Sequence, residues 1–259
     1  GTGGAGATAG SNWTTSKGFG ISQSDGTLVT PNGNLYTAPT DSGAMNLFRT
    51  ASTSFLTTLA LNNNVNVTAS STLDAGSTLT SLTLGSLAIG THTLTTTGIS
   101  TAVINLGATT MGGNPTFVPA TGTTLVLGSL NDGTTARTLT MNGAGTLRLN
   151  GAAASLVNGT QVNITLGTLQ SNDSTALGNL AAVSVSSGAT FSVGASQTVG
   201  SLAGAGNTVL GANTLTVGST NNLSSTFDGV LSGTGGALTK AGTGTFTLSA
   251  TSANRSEEH

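Results

Sequence analysis

From about residue 72 onward, apolar and polar positions alternate in short runs of three to eight residues, each closed by Gly, Asn, Asp or Ser. Side chains of a strand point alternately to its two faces, so each run predicts a short strand with one aliphatic face and one Thr/Ser face. The clearest are Thr78-Leu79-Thr80, Ala102-Val103-Ile104-Asn105-Leu106, Thr123-Thr124-Leu125-Val126-Leu127, Thr138-Leu139-Thr140-Met141, Thr190-Phe191-Ser192-Val193, Thr214-Leu215-Thr216-Val217 and Thr245-Phe246-Thr247-Leu248. Read this way, the core comprises Leu79, Leu94, Val103, Leu125, Leu139, Leu147, Val162, Ile164, Val183, Phe191, Val199, Leu215, Val217, Val230, Leu238 and Phe246. The connectors Gly143-Ala144-Gly145 and Gly204-Ala205-Gly206 predict sharp turns through positive φ. No stretch carries a 3.6-residue apolar period, so almost no helix is expected.

Two all-β architectures accommodate such strands. The Asn-Gly pairs at Asn142, Asn150 and Asn158 suit two-residue hairpin turns and hence a sandwich or barrel. Strands this short and this uniform in Thr, Leu and Val would give a sandwich little core, whereas stacking them as successive coils buries one aliphatic row continuously. A parallel β-solenoid is therefore expected, with coils of about 20 to 25 residues, about eight of them, and about 4.8 Å per coil. The first 70 residues differ: Trp13, Phe19, Tyr36, Phe48 and Phe55 are five of the nine aromatics. This excess marks an irregular N-terminal cap or an intermolecular contact region. The expected division is a cap or assembly region over 1–70, the β-solenoid over 71–250 and a tail over 251–259.

Composition narrows the function. Only 5% of the 259 residues are charged and the net charge is −2, against about 25% charged in ordinary domains. Disordered chains also lack aromatics but usually carry high net charge and no regular aliphatic spacing. With no cysteine, neither disulfides nor thiolate metal sites are available. Lys17, Arg49, Arg137, Arg148, Lys240 and Arg255 are scattered singly, so no basic stripe is expected to hold nucleic acid. No run is long enough for a membrane helix, and no charged and apolar leader opens the chain. A chain beginning at Gly1 fits a mature secreted product, a cleaved fragment or a tag remnant alike.

Near the C-terminal end comes the run Phe227-Asp228-Gly229-Val230-Leu231-Ser232-Gly233-Thr234-Gly235-Gly236, then Ala237-Leu238-Thr239-Lys240, then Ala241-Gly242-Thr243-Gly244-Thr245-Phe246-Thr247-Leu248-Ser249. It resembles the passenger-associated transport repeat of autotransporter proteins. Gly200 to Gly206 and Leu210 to Gly218 resemble the lead-in beside that repeat, and Gly145 to Leu149 with Leu166 to Gln170 look like a degenerate copy. The resemblance covers residues 140–250 well, 72–140 loosely and the first 70 not at all. It implies a right-handed parallel β-helix, exported to the outer surface of a Gram-negative-type bacterium, of the kind found in adhesins, surface layers and large fibrous proteins. Absence of cysteine agrees with passengers that cross the outer membrane unfolded. Within these 259 residues there is no counterpart of the translocator barrel.

Catalytic chemistry has little to draw on. The acids are Asp25, Asp41, Asp74, Asp132, Asp173, Asp228, Glu257 and Glu258, the histidines His92 and His259. A β-helix can bring distant carboxylates together for glycoside cleavage, but Asp25-Gly26, Asp132-Gly133 and Asp228-Gly229 read as turns. His92 reads as a surface strand residue without a second ligand nearby. The calcium-binding nonapeptide is absent, the glycines of residues 1–10 lack the strand and helix a phosphate loop needs, and no cofactor is expected. Asn-x-Ser/Thr triplets at Asn12, Asn66, Asn158, Asn163, Asn172, Asn222 and Asn254 are ordinary for this composition. The leading expectation is a non-enzymatic structural protein that self-assembles head to tail into a fibre or coat. An adhesin or module binding a surface glycan or host protein is the alternative. Ice binding ranks third, because Thr-x-Thr would have to recur on every coil.

Overall fold

The computed structural model describes residues 13–14, 20–21, 28–29, 56–151, 155–218 and 221–249. The chain divides into two units, Gly1–Thr57 and Thr58–His259. In the first, three two-residue strands, Trp13–Thr14, Gly20–Ile21 and Leu28–Val29, pair antiparallel, with Trp13 opposite Ile21 and Gly20 opposite Val29.

The second unit is a parallel β-solenoid without helices among the described residues. Each coil visits three faces in turn. The first coil shows the order: Thr58–Ala60 on face one, Val65–Val67 on face two, Ser71–Asp74 on face three. The next, Ser81–Thr83, Leu87–Ile89 and Thr93–Thr97, lies directly on it. Face one carries nine rungs, and its partners are 17 (Thr190 to Asn207) to 23 residues (Thr58 to Ser81) apart. Every pair in the stack is parallel, so none of Asn142, Asn150 and Asn158 closes a hairpin. Parallel pairing begins at Thr58 and not at 71, which places residues 58–70 in the solenoid.

Register explains the core. On face one the inward column runs Leu59, Leu82, Ile104, Leu125, Leu147, Leu169, Phe191, Thr208, Leu231. On face three it runs Leu94, Phe117, Met141, Ile164, Val185, Gly204, Phe227, Leu248. Volume is compensated between coils, since Gly204 opposes the fully buried ring of Phe227. Two expected core residues face the other way. Val103 is half-buried and Val230 is 36% exposed, whereas Ala102, Ile104 and Leu106 all point inward. The even positions of that strand are all apolar and set its phase; Val103 is a β-branched residue on the outer face, where it suits strand geometry as well as Thr does.

The faces are not equally regular. Strands Thr138–Leu149 and Gln161–Ser171 run without interruption from face three round the corner into face one. Face two is broken at the middle of the stack. Leu130–Asn131 meets only a bridge at Ser155, the next coil replaces its strand by turns over 172–181, and regular pairing resumes at Gln197–Val199.

The corner glycines serve two purposes. Gly188 adopts φ +83° in open space and turns the chain. Gly143 and Gly145, expected to turn through positive φ, instead remain in extended strand, and a Cβ on either would overlap the backbone of Pro119 or Ala120 in the coil before. They permit close stacking and make no turn.

Candidate functional site

On faces one and three, rungs inside the stack pair on both edges. Among the described residues, the first and last rungs of each face pair on one edge only. A chain that places apolar residues at every coil must therefore leave some of them half-covered at its two ends. At the N-terminal end these are Leu59, Leu61, Val65 and Leu73; at the C-terminal end, on strands Val230–Ser232, Ala237–Lys240 and Phe246–Leu248, they are Leu231, Leu238 and Phe246. Leu248, at the end of the face-three column, is 41% exposed, while Phe227 beside it is fully buried. One charge interrupts this surface. Lys240 takes the place in line with Val199 and Val217, and its ammonium donates to the carbonyls of Ala241 and Gly242. Apolar contact at this end is thus concentrated on faces one and three.

Three of the carboxylates, Asp74, Asp132 and Asp173, are engaged in hydrogen bonds. Asp132 is 2% exposed, and its carboxylate accepts the Val157 N–H at 3.2 Å and the Thr160 hydroxyl, both from the following coil. The short-range turn bond expected of Asp132 is made instead by Asn131, whose Oδ1 accepts the Gly133 N–H at 2.7 Å. Gly133 does adopt positive φ, +69°. Asp228-Gly229 departs from the expected turn: the Asp228 N–H donates to Gly204 O at 2.8 Å, Gly229 has no positive φ, and a Cβ there would overlap Gly206 O. Asp74 accepts from Gly76 N at 2.9 Å. The Thr175 hydroxyl and then its backbone N–H hold the exposed Asp173 carboxyl below its ordinary value, against a small opposing effect of desolvation.

Of the proposed contact aromatics, Trp13 begins the antiparallel strand pair of the first unit. Phe19, Tyr36, Phe48 and Phe55 lie outside the described residues, as do Asp25 and the N-terminal glycines. His92 precedes the strand Thr93–Thr97, half-buried with its ring beside Gly90. No cluster of three or more metal-ligating side chains occurs among the described residues, and no helix there is long and apolar enough to cross a membrane. Among the described residues Thr-x-Thr does not recur on adjacent rungs of any face. The outward column Thr124, Thr146, Thr168, Thr190 is accompanied two residues on by Val126, Arg148, Gln170 and Ser192.

Inter-coil side-chain bonds at the corners were hidden from local pattern. Ser70 Oγ accepts from Thr93 N at 3.0 Å, Asn114 Oδ1 from Thr138 N at 3.0 Å, Asn64 Oδ1 from Ser86 N at 3.0 Å and Ser224 Oγ from Thr245 N at 2.9 Å. Each supplies an acceptor where the backbone ladder breaks. Their sequence trace is a Ser, Thr or Asn at a corner about one coil before the N–H it serves. Comparison of the chain with protein-family models, curated proteins and solved structures finds no match.

Proposed function

We propose that this chain is a structural protein, a β-solenoid module of an extracellular fibre or coat on a bacterial surface, joined to other copies through the ends of its stack. The observation that carries this reading is the concentration of half-buried aliphatic and aromatic side chains at the terminal rungs, Leu59, Leu61, Val65 and Leu73 at one end and Leu231, Leu238 and Phe246 at the other. A second copy would bury the side chains of the two ends against each other, with Leu231 set over Leu59 on face one and Leu248 in line with Ser71 on face three. Such a contact is heterologous and propagates. A charge content of 5% leaves little repulsion between copies. The engagement of Asp74, Asp132 and Asp173 in local hydrogen bonds supports a scaffold over a catalyst. The extracellular setting rests on the passenger-type run Phe227 to Ser249 and on the cysteine-free composition.

Sedimentation velocity over a wide concentration range tests the reading, with Val230→Asp and Leu248→Asp as variants. Both side chains are more than a third exposed, so the melting temperature should hold while a charge enters the junction. Elongated oligomers that grow with concentration and are lost in both variants are expected. An intact chain that stays monomeric throughout, or variants that associate as well as it does, would sink the proposal.

A further inference from the structure

Four Asn-Gly pairs occur in the chain. Asn32-Gly33 lies outside the described residues; the other three stand in different surroundings. Asn142 is on the strand Thr138–Leu149, its Oδ1 accepts the Thr165 hydroxyl at 2.9 Å, and Gly143 is pressed against Pro119. The Asn150 N–H donates to Leu127 O at 2.9 Å, and Gly151 abuts the Gly128–Ser129 backbone. Asn158 and Gly159 are both exposed. They are the two central residues of a β-turn closed by Thr160 N–H to Val157 O at 3.2 Å, with Gly159 at φ +97°. Only the Ala136 Cβ, at 3.3 Å, would meet a Cβ on Gly159.

We propose that Asn158 is a spontaneous modification site, at which the Gly159 amide nitrogen displaces ammonia from the Asn158 carboxamide. The Gly159 N–H gives its proton to water or hydroxide, the nitrogen bonds to Asn158 Cγ, and the bond from Cγ to the side-chain nitrogen breaks as ammonia leaves with a proton. Water then opens the resulting five-membered imide at either carbonyl, leaving aspartate or isoaspartate. No oxidant or other co-reactant takes part. Attack requires rotation of the peptide between residues 158 and 159. In a β-turn that peptide can flip through ψ of the first central residue and φ of the second while the flanks stay in place, and glycine at the second position admits both senses. The flanks here are held by one group, since Val157 N–H and the Thr160 hydroxyl both donate to buried Asp132. The same rotation at Gly143 or Gly151 would drive the peptide into the neighbouring coil, so those sites must first open locally. The product places a new carboxylate in the turn that Asp132 anchors, and the isoaspartate form adds a backbone atom to it.

Peptide mass spectrometry of the full chain, aged at mildly alkaline pH with and without denaturant, tests the assignment. In denaturant Asn142, Asn150 and Asn158 should convert at similar rates. In the folded protein Asn158 should convert faster than the other two by roughly tenfold or more, the factor imposed by a local-opening cost of about 1.4 kcal/mol. Asn158 slowed by folding as much as Asn142 and Asn150, or overtaken by either, would overturn it.

Discussion

Thr208 occupies a position that its column gives to apolar side chains, between Phe191 and Leu231, and it is fully buried with no hydrogen-bond partner for its hydroxyl among the described residues. A buried hydroxyl left unpaired forfeits its hydration without compensation. Thr208→Val keeps the branched shape and removes that cost, so equilibrium unfolding should show a gain of about 1 kcal/mol; a loss would mean that the hydroxyl has an acceptor. Val103 and Ile104 pose the complementary question of phase. Ile104→Ala deletes a fully buried side chain and should cost about 2 to 4 kcal/mol, while Val103→Ala on the outer face should cost less than about 1 kcal/mol. Similar losses in denaturant titrations of the two variants would contradict the assigned register. The alternation of Ala102, Ile104 and Leu106 was legible in the sequence, but Ala is small enough to fit either face and Val103 is as β-prone as Ile104, so the choice between them needed the neighbouring coil.

Strands and their corners depend on spacing between coils, which local sequence does not record. Thr190 to Val193 reads correctly from alternation alone, because both inward residues are apolar and both outward ones are Thr or Ser. Gly151 and Gly133 are both corner glycines and look alike in sequence, yet Gly151 is wedged on Gly128–Ser129 and Gly133 has open space with φ +69°. Gly133→Ala should therefore cost about 1 kcal/mol through backbone strain alone. Gly151→Ala must push one coil off another and should cost several times more, with the loss read from the melting temperature at fixed concentration. Equal shifts for the two would show that Gly151 is not a stacking contact. The cross-coil acceptors Ser70, Asn114 and Ser224 escaped the sequence reading for the same reason: each looks like an ordinary turn residue until the coil after it is in place.

The nine rungs of face one stack over about 40 Å within the second unit, with Thr, Ser and Asn prominent on the outer faces. The solenoid was legible because short alternating strands with few aromatics and little charge admit hardly any other buried arrangement. The start of the stack was not, since Thr58–Ala60 and Val65–Val67 are too brief to stand out beside the aromatic-rich residues before them. On the proposed reading such a stack serves as a scaffold: every coil supports the next, and an added copy would continue the same parallel pairing. Electron cryomicroscopy of the purified full chain, over a wide range of concentrations, tests this most directly. The account predicts filaments with rungs about 4.8 Å apart stacked along the filament axis and parallel pairing continuing across each junction; discrete particles, or filaments whose rungs do not stack along the axis, would contradict it.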